Sequence, residues 1–129
     1  MSDLFLTTVL TLDASVRVCV PLIFASMAGL FAERSGVVDI GLEGKLLMSA
    51  FIAASVASVF GSPWLGLIAG MFASSVLAMI HGFASITYKG NQIVSGVAIN
   101  ILASGLTMIL TLAWFKSGGI TPNLQGDER

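Results

Sequence analysis

The sequence has 129 residues, of which 56% are apolar and 10% charged, with a mean hydropathy of +0.96 and a formal net charge of −1. A soluble domain carries about 25% charged residues, and the polar groups here are too few to cover one. That argues against a soluble enzyme and a disordered tail, and the near-neutral charge argues against a nucleic-acid partner. The lone cysteine, Cys19, excludes an internal disulfide framework and a cysteine-cluster metal site.

The charge distribution divides the chain. A first apolar stretch, 10–32, reaches spanning length only if Arg17 is carried toward the interface, where a long side chain can snorkel. Pro21 then falls in its outer third, where a kink is tolerated. A cleaved signal peptide does not fit, because the start is acidic at Asp3 and the nearest base, Arg17, follows the first apolar run. Between Lys45 and Lys89 lie 43 uncharged residues, enough for two spans of about 20 residues each. Gly61-Ser62-Pro63-Trp64 breaks that run, predicting spans over 42–60 and 64–88. A further 26 uncharged residues follow Lys89 and predict a span over 92–115, with a polar tail over 116–129. The expected fold is an all-α polytopic membrane protein with four transmembrane helices. Lys and Arg counts place the 33–45 loop and Lys89 on the cytoplasmic side, by a margin of few charges, and both termini outside.

The densest polar stretch runs from Glu33 to Lys45, with five charges and three glycines in 13 residues. It also carries Val37, Val38, Ile40 and Leu42, so it is not a plain polar loop. An apolar, Gly-punctuated, charged segment beside a membrane reads as a broken or re-entrant helix packed inside protein. Gly44-Lys45 is no phosphate loop, since that spacing requires glycine where Asp39 stands and Ser or Thr where Leu46 stands.

A second polar stretch opens the fourth span: Asn91, Gln92, Ser95, Gly96 and Asn100. Lipid cannot satisfy such a stripe, so it faces other helices or a water-filled path. Asn100 is read first as interhelical glue and second as a solute contact. Gly66-x-x-x-Gly70, followed by Ala73, Ser74, Ser75, Ala78 and Gly82, reads as a tightly packed helix face rather than a dimer signal. His81 is read as glue or as an interfacial histidine, because its own span holds no carboxylate for a proton relay. Cys19 reads as a small apolar filler. No residues are placed for catalysis, for a metal or for a cofactor.

These two stretches carry a resemblance. The run from Ala32 through Gly44, AERSGVVDIGLEG, resembles the signature of ABC-importer permeases of the simple-sugar and nucleoside group, relatives of the ribose and branched-chain amino acid permeases. Asn91 to Asn100, NQIVSGVAIN, resembles the second signature of that group, and Ser62-Pro63-Trp64-Leu65-Gly66 fits between them. The resemblance covers about Pro21 to Leu112. Many members carry Asn where this chain has Asp39. The resemblance implies a multi-pass subunit of the bacterial inner membrane. It would work with a second permease subunit, a cytoplasmic ABC ATPase that hydrolyses the ATP, and an extracytoplasmic solute-binding protein. It implies that Gly36, Asp39, Gly41, Glu43 and Gly44 in the first motif, and Gln92, Ser95 and Asn100 in the second, shape or line the path. Permeases of this group are longer, so residues 1–129 are expected to form the N-terminal part of a permease domain, incomplete alone. The competing readings are a stand-alone four-span transporter coupled through Asp13, Asp39 or Glu43, and a membrane fragment that transports nothing.

Overall fold

The computed structural model describes residues 2–116; the tail expected over 117–129 lies outside the described residues. Four helices form: α1 over Ser2–Arg34, α2 over Leu42–Phe60, α3 over Pro63–Gly82 and α4 over Gln92–Phe115. A π-helical turn, Phe83–Thr87, continues α3. Among the described residues these four are long and apolar enough to cross a membrane, with the π-turn counted into the third. The chain divides into two units, Met1–Gly36 and Val37–Arg129.

The first unit is α1 and the turn that ends it. The helix starts at Ser2, earlier than the apolar stretch taken alone would place it. Threonine and serine hydroxyls return their hydrogen bonds to the helix itself: Thr8 to Leu4 O, Thr11 to Thr7 O and Ser15 to Thr11 O, each at 2.7 Å. A hydroxyl bonded to its own helix adds little polarity for an apolar surrounding to accommodate. Arg17 donates from Nε to Asp13 Oδ2 at 3.0 Å, one turn earlier, so the two charges inside the helix neutralise each other. Gly36, at φ +83°, closes the turn after Arg34 in a conformation that L side chains rarely adopt.

In the second unit α2 and α3 pack through small residues. A Cβ at Gly66 would meet Ala53 O at 2.6 Å and Ala57 Cβ at 3.0 Å. One turn on, a Cβ at Gly70 would meet Ser49 O at 2.8 Å. The α2 numbers fall as the α3 numbers rise, so the helices are antiparallel. The turn between them is set by Gly61, whose left-handed φ of +63° lets its N–H close on Ala57 O at 2.8 Å, and by Pro63 in the first turn of α3. Helices in lipid gain no hydrophobic drive from meeting each other, and close backbone approach supplies van der Waals contact instead. Gly82, expected on the same packed face, looks into open space; the face ends before the π-turn.

α4 lies parallel to α2. Ile99 and Ala103 join Met48, Phe51 and Leu77 in the buried core, with Ile52, Ala73, Leu110 and Phe115 against it. Phe51 stacks on Trp114, centroids 6.1 Å apart and planes at 18°. Asn91 caps α4 by accepting from Ile93 N at 3.0 Å and Val94 N at 3.3 Å.

Two glycine substitutions separate packing from helix propensity. Gly70→Ala should lower stability by about 1–3 kcal/mol, because the added methyl meets the α2 backbone. Gly82→Ala should be neutral or gain up to about 1 kcal/mol, because its methyl meets nothing. Denaturation midpoints of the detergent-solubilised variants check the pair.

Candidate functional site

Residues Val37–Gly41 leave the helical path and form an elbow against the first turns of α4, with α2 starting directly after it. A helix start exposes backbone N–H groups without partners inside the helix. The N-cap of α2 is Gly41, which has no side chain to supply one. The partner comes from another helix: Asn100 Oδ1 accepts from Gly44 N at 2.8 Å. Gly44 is the third residue of α2, so this carboxamide does from α4 what an N-cap side chain ordinarily does within its own helix. The same side chain donates from Nδ2 to Ile40 O at 3.1 Å. Eight residues earlier on α4, Gln92 Oε1 accepts from Val38 N at 2.6 Å. Two amides on α4 therefore hold the elbow at both ends.

The approach this requires leaves no room for side chains. A Cβ at Gly44 would lie 2.8 Å from Asn100 Cα, and one at Gly96 would lie 2.9 Å from Gly41 N and 3.2 Å from Ile40 Cβ. A Cβ at Gly41 would lie 3.3 Å from Asp39 Oδ1 and 3.4 Å from Gly96 Cα, a closer fit to its own segment than to α4.

Beside the elbow sits a buried polar cluster. Asp39 Oδ1 accepts from Gly41 N at 3.1 Å, and Lys45 Nζ donates to Asp39 Oδ2. The two side chains are only 11% and 5% exposed. His81, from the last turn of α3, is 2% exposed; its Nε2 stands 3.9 Å from Asp39 Oδ1, within ion-pair reach and beyond a hydrogen bond. Its Nδ1 is 3.1 Å from Ser95 Oγ on α4. Asp39, His81 and Ser95 thus form a carboxylate–imidazole–hydroxyl line, with the ring turned opposite to a hydrolase triad, in which Nε2 faces the serine and Nδ1 the carboxylate. The line lacks the hydrogen bond between His81 and the carboxylate, and that carboxylate is already engaged by Lys45.

Glu43 points elsewhere. It is exposed and lines a groove of about 240 Å³ with Gly44, Leu47, Asn100, Ile101 and Ser104. A second groove of about 370 Å³ shares Leu47 and continues between Phe51 and Ala54 of α2 and Thr107 and Thr111 of α4. Thr107 and Thr111 bond to the carbonyls one turn before them.

Of the residues singled out from the sequence, Asp39, Gly41, Gly44, Gln92, Ser95 and Asn100 come together around the elbow. Glu43 sits at the groove, and Gly36 holds a turn in the first unit. Asn100 is glue between segments, and His81 is glue between α3 and α4 with a carboxylate nearby after all, from the elbow rather than from its own helix. Lys45, Gly96 and His81 complete the cluster without having been marked as site residues. Lys45 is a charge at the very start of an apolar run, Gly96 stands in the polar stripe of the fourth span, and His81 reads as glue, but none of these signals joins the three.

Over residues 11–126 the sequence matches the family described as branched-chain amino acid transport system / permease component. It is 43% identical over 103 residues to the guanosine ABC transporter permease protein NupQ of Bacillus subtilis, covering 75% of this chain and 32% of that protein. It is 37% identical over 105 residues to the putative glucose ABC transporter permease protein TsgC13 of Haloferax volcanii, covering 81% and 32%. It is 35% identical over 111 residues to the nucleoside ABC transporter permease protein NupC of Lactococcus lactis, covering 81% and 35%. The chain spans about a third of the length of these curated relatives. No solved structure matches it.

The two caps predict a ranking. Asn100→Ala leaves the buried Gly44 N–H without its acceptor and should cost about 1–3 kcal/mol. Asn91→Ala, at an exposed helix start, should cost about 1 kcal/mol. Unfolding in detergent by titration with SDS should place the Asn100 variant below the Asn91 variant.

Proposed function

The chain belongs to the branched-chain amino acid transport system / permease component family, and from that premise we propose that it contributes transmembrane helices to an ATP-driven importer of nucleosides or simple sugars. The observation that carries this reading is the similarity to permeases named for guanosine, nucleosides and glucose, at up to 43% identity. The physical arrangement supports it. An elbow of non-helical backbone, held by side-chain amides of a neighbouring helix, is the kind of irregular segment tolerated beside a path through a membrane protein.

In this reading residues 1–129 form part of a permease domain in the bacterial inner membrane. Residues 33–45 and Lys89 face the cytoplasm. A second permease subunit completes the path, a cytoplasmic ABC ATPase drives it and an extracytoplasmic binding protein delivers the solute. Gly41 and Gly44 let the elbow approach α4. Gln92 and Asn100 hold it there. Glu43 and Ser104 present polar groups to the groove between α2 and α4. Transport proceeds by alternating access, with ATP binding and hydrolysis at the partner subunits shifting the permease between inward-facing and outward-facing states.

Uptake of labelled guanosine and glucose by cells with and without the gene tests this. Deletion should abolish uptake of one of them. In the parent strain, that uptake should stop on ATP depletion and persist with a protonophore while ATP is maintained. Uptake that survives ATP depletion and stops with the protonophore would instead establish a stand-alone, proton-coupled transporter. Unchanged uptake of both, with no ATPase co-purifying with the chain, would establish a membrane protein that transports neither.

A further inference from the structure

The buried charges of the elbow have a use that the transport reading leaves open. Asp39 is the carboxylate nearest the non-helical backbone, and a carboxylate beside a solute path is an obvious candidate for binding a solute hydroxyl or a proton. Its surroundings argue otherwise. One oxygen accepts the Gly41 N–H, the other takes the Lys45 ammonium, and His81 closes the remaining side. Lys45 lies in the first turn of α2 and its side chain is 95% buried, so its ammonium has lost nearly all its water. An ammonium in that position is tolerable only with a counter-charge and a hydrogen bond, and Asp39 supplies both.

We infer that Lys45 is a positioning residue whose ammonium engages Asp39 inside the protein, so that the pair fixes the elbow at the start of α2 and Asp39 serves neither solute binding nor proton coupling. The inference deepens the permease reading, yet the pairing can be tested without transport. The two charges are six residues apart, one before the start of α2 and one after it. Their contact closes a ring around Gly41, which has no side chain with which to cap the helix. Removing one charge strands the other in a buried site. Removing both restores neutrality, and Asn in place of Asp keeps an oxygen for the Gly41 N–H while Met keeps the length of the lysine stem.

The experiment is a double-mutant cycle with Asp39→Asn, Lys45→Met and the two combined, in the full chain. Hydrogen exchange of the peptide spanning 37–45 in detergent micelles is the readout, because the Val38, Gly41 and Gly44 amides donate the hydrogen bonds that hold the elbow and the start of α2. Each single variant should exchange at least about tenfold faster than the parent, and the double variant should return to within about threefold of it. Additive acceleration in the double variant, or single variants exchanging like the parent, would overturn the inference. Where a single variant fails to accumulate in membranes, the level of the double variant is the readout: recovery supports the pairing, and a level no better than the worse single overturns it. Uptake kinetics in cells, with the maximal rate normalised to the amount of the chain in the membrane, add a readout that simple loss of fold would not move. The Asp39→Asn change should lower the maximal rate with KM unchanged, and Lys45→Met should restore that rate. A raised KM that Lys45→Met does not restore would mean the carboxylate touches solute.

Discussion

A helix whose first turn is buried against other segments has a problem that a helix beginning in open water does not, as at Gly41, Gly44 and Lys45. Its first N–H groups have no intrahelical acceptor, and a buried N–H has no solvent to turn to. Most of the second unit follows from how α2 meets that requirement. Gly41 cannot cap it, so Asn100 does so from α4 with its oxygen on Gly44 N–H, and uses its nitrogen on Ile40 C=O just before the helix. That double contact requires the backbone of α2 to reach the backbone of α4. The glycines at 44 and 96 are the geometric consequence, since a methyl at either would sit less than 3.0 Å from the opposing chain. The cap, the glycines and the elbow are one constraint seen from three residues.

α2 is held differently on its other side. Against α3 the closest approach is made by small residues: Ser49, Ala53 and Ala57 receive Gly66 and Gly70, and Leu77 joins Met48 and Phe51 in the core beyond them. The strength of that contact comes from the number of atoms brought together. Against α4 the contact begins with directed hydrogen bonds, passes through Met48, Phe51, Ile99 and Ala103, and then opens along Thr107 and Thr111 into a groove. A smooth small-residue face allows helices to slide or rotate by small amounts, whereas a carboxamide bonded to two backbone groups does not. The register of α2 is therefore set by α4, and its distance from α3 by glycine.

Helix positions were legible because charge is scarce. With so few charged residues, the uncharged runs mark the spans and Gly61 to Trp64 marks the break, and α2, α3 and α4 lie over those runs. The irregular character of the segment before α2 was legible too, from the apolar side chains, glycines and charges that share the 13 residues from Glu33 to Lys45. The pairings were not. Lys45 and Asp39 share a sequence neighbourhood, but whether an ammonium six residues from a carboxylate meets it depends on the elbow turning back, and periodicity says nothing about a non-helical turn. His81 is separated from Asp39 by a whole helix pair, and no pattern within its own span points to a carboxylate outside it. Gly82 shows the opposite failure: its spacing from Gly66 and Gly70 suits the packed face, but the chain passes into the π-turn there and the face ends.

The π-turn itself bears on how the polar cluster is built. A wider turn shifts the residues after it around the helix axis and loosens the local hydrogen bonding. Here it begins two residues after His81, and the chain then reverses through Tyr88, Lys89 at φ +51° and Gly90, whose N–H returns to Ala84 O at 3.0 Å. A Cβ at Gly90 would meet that same carbonyl at 2.9 Å, so the reversal is as tight as a glycine permits. Such a compact turn brings Asn91 and Gln92 back beside the end of α3 and sets Ser95, one turn into α4, against His81. The elbow amide from Gln92 and the imidazole contact from Ser95 thus share an origin in one reversal. A longer or looser connection would let α4 start at another height, and Asn100 would then lie out of reach of Gly44. The length of that turn is what places a side chain on one helix at the open end of another.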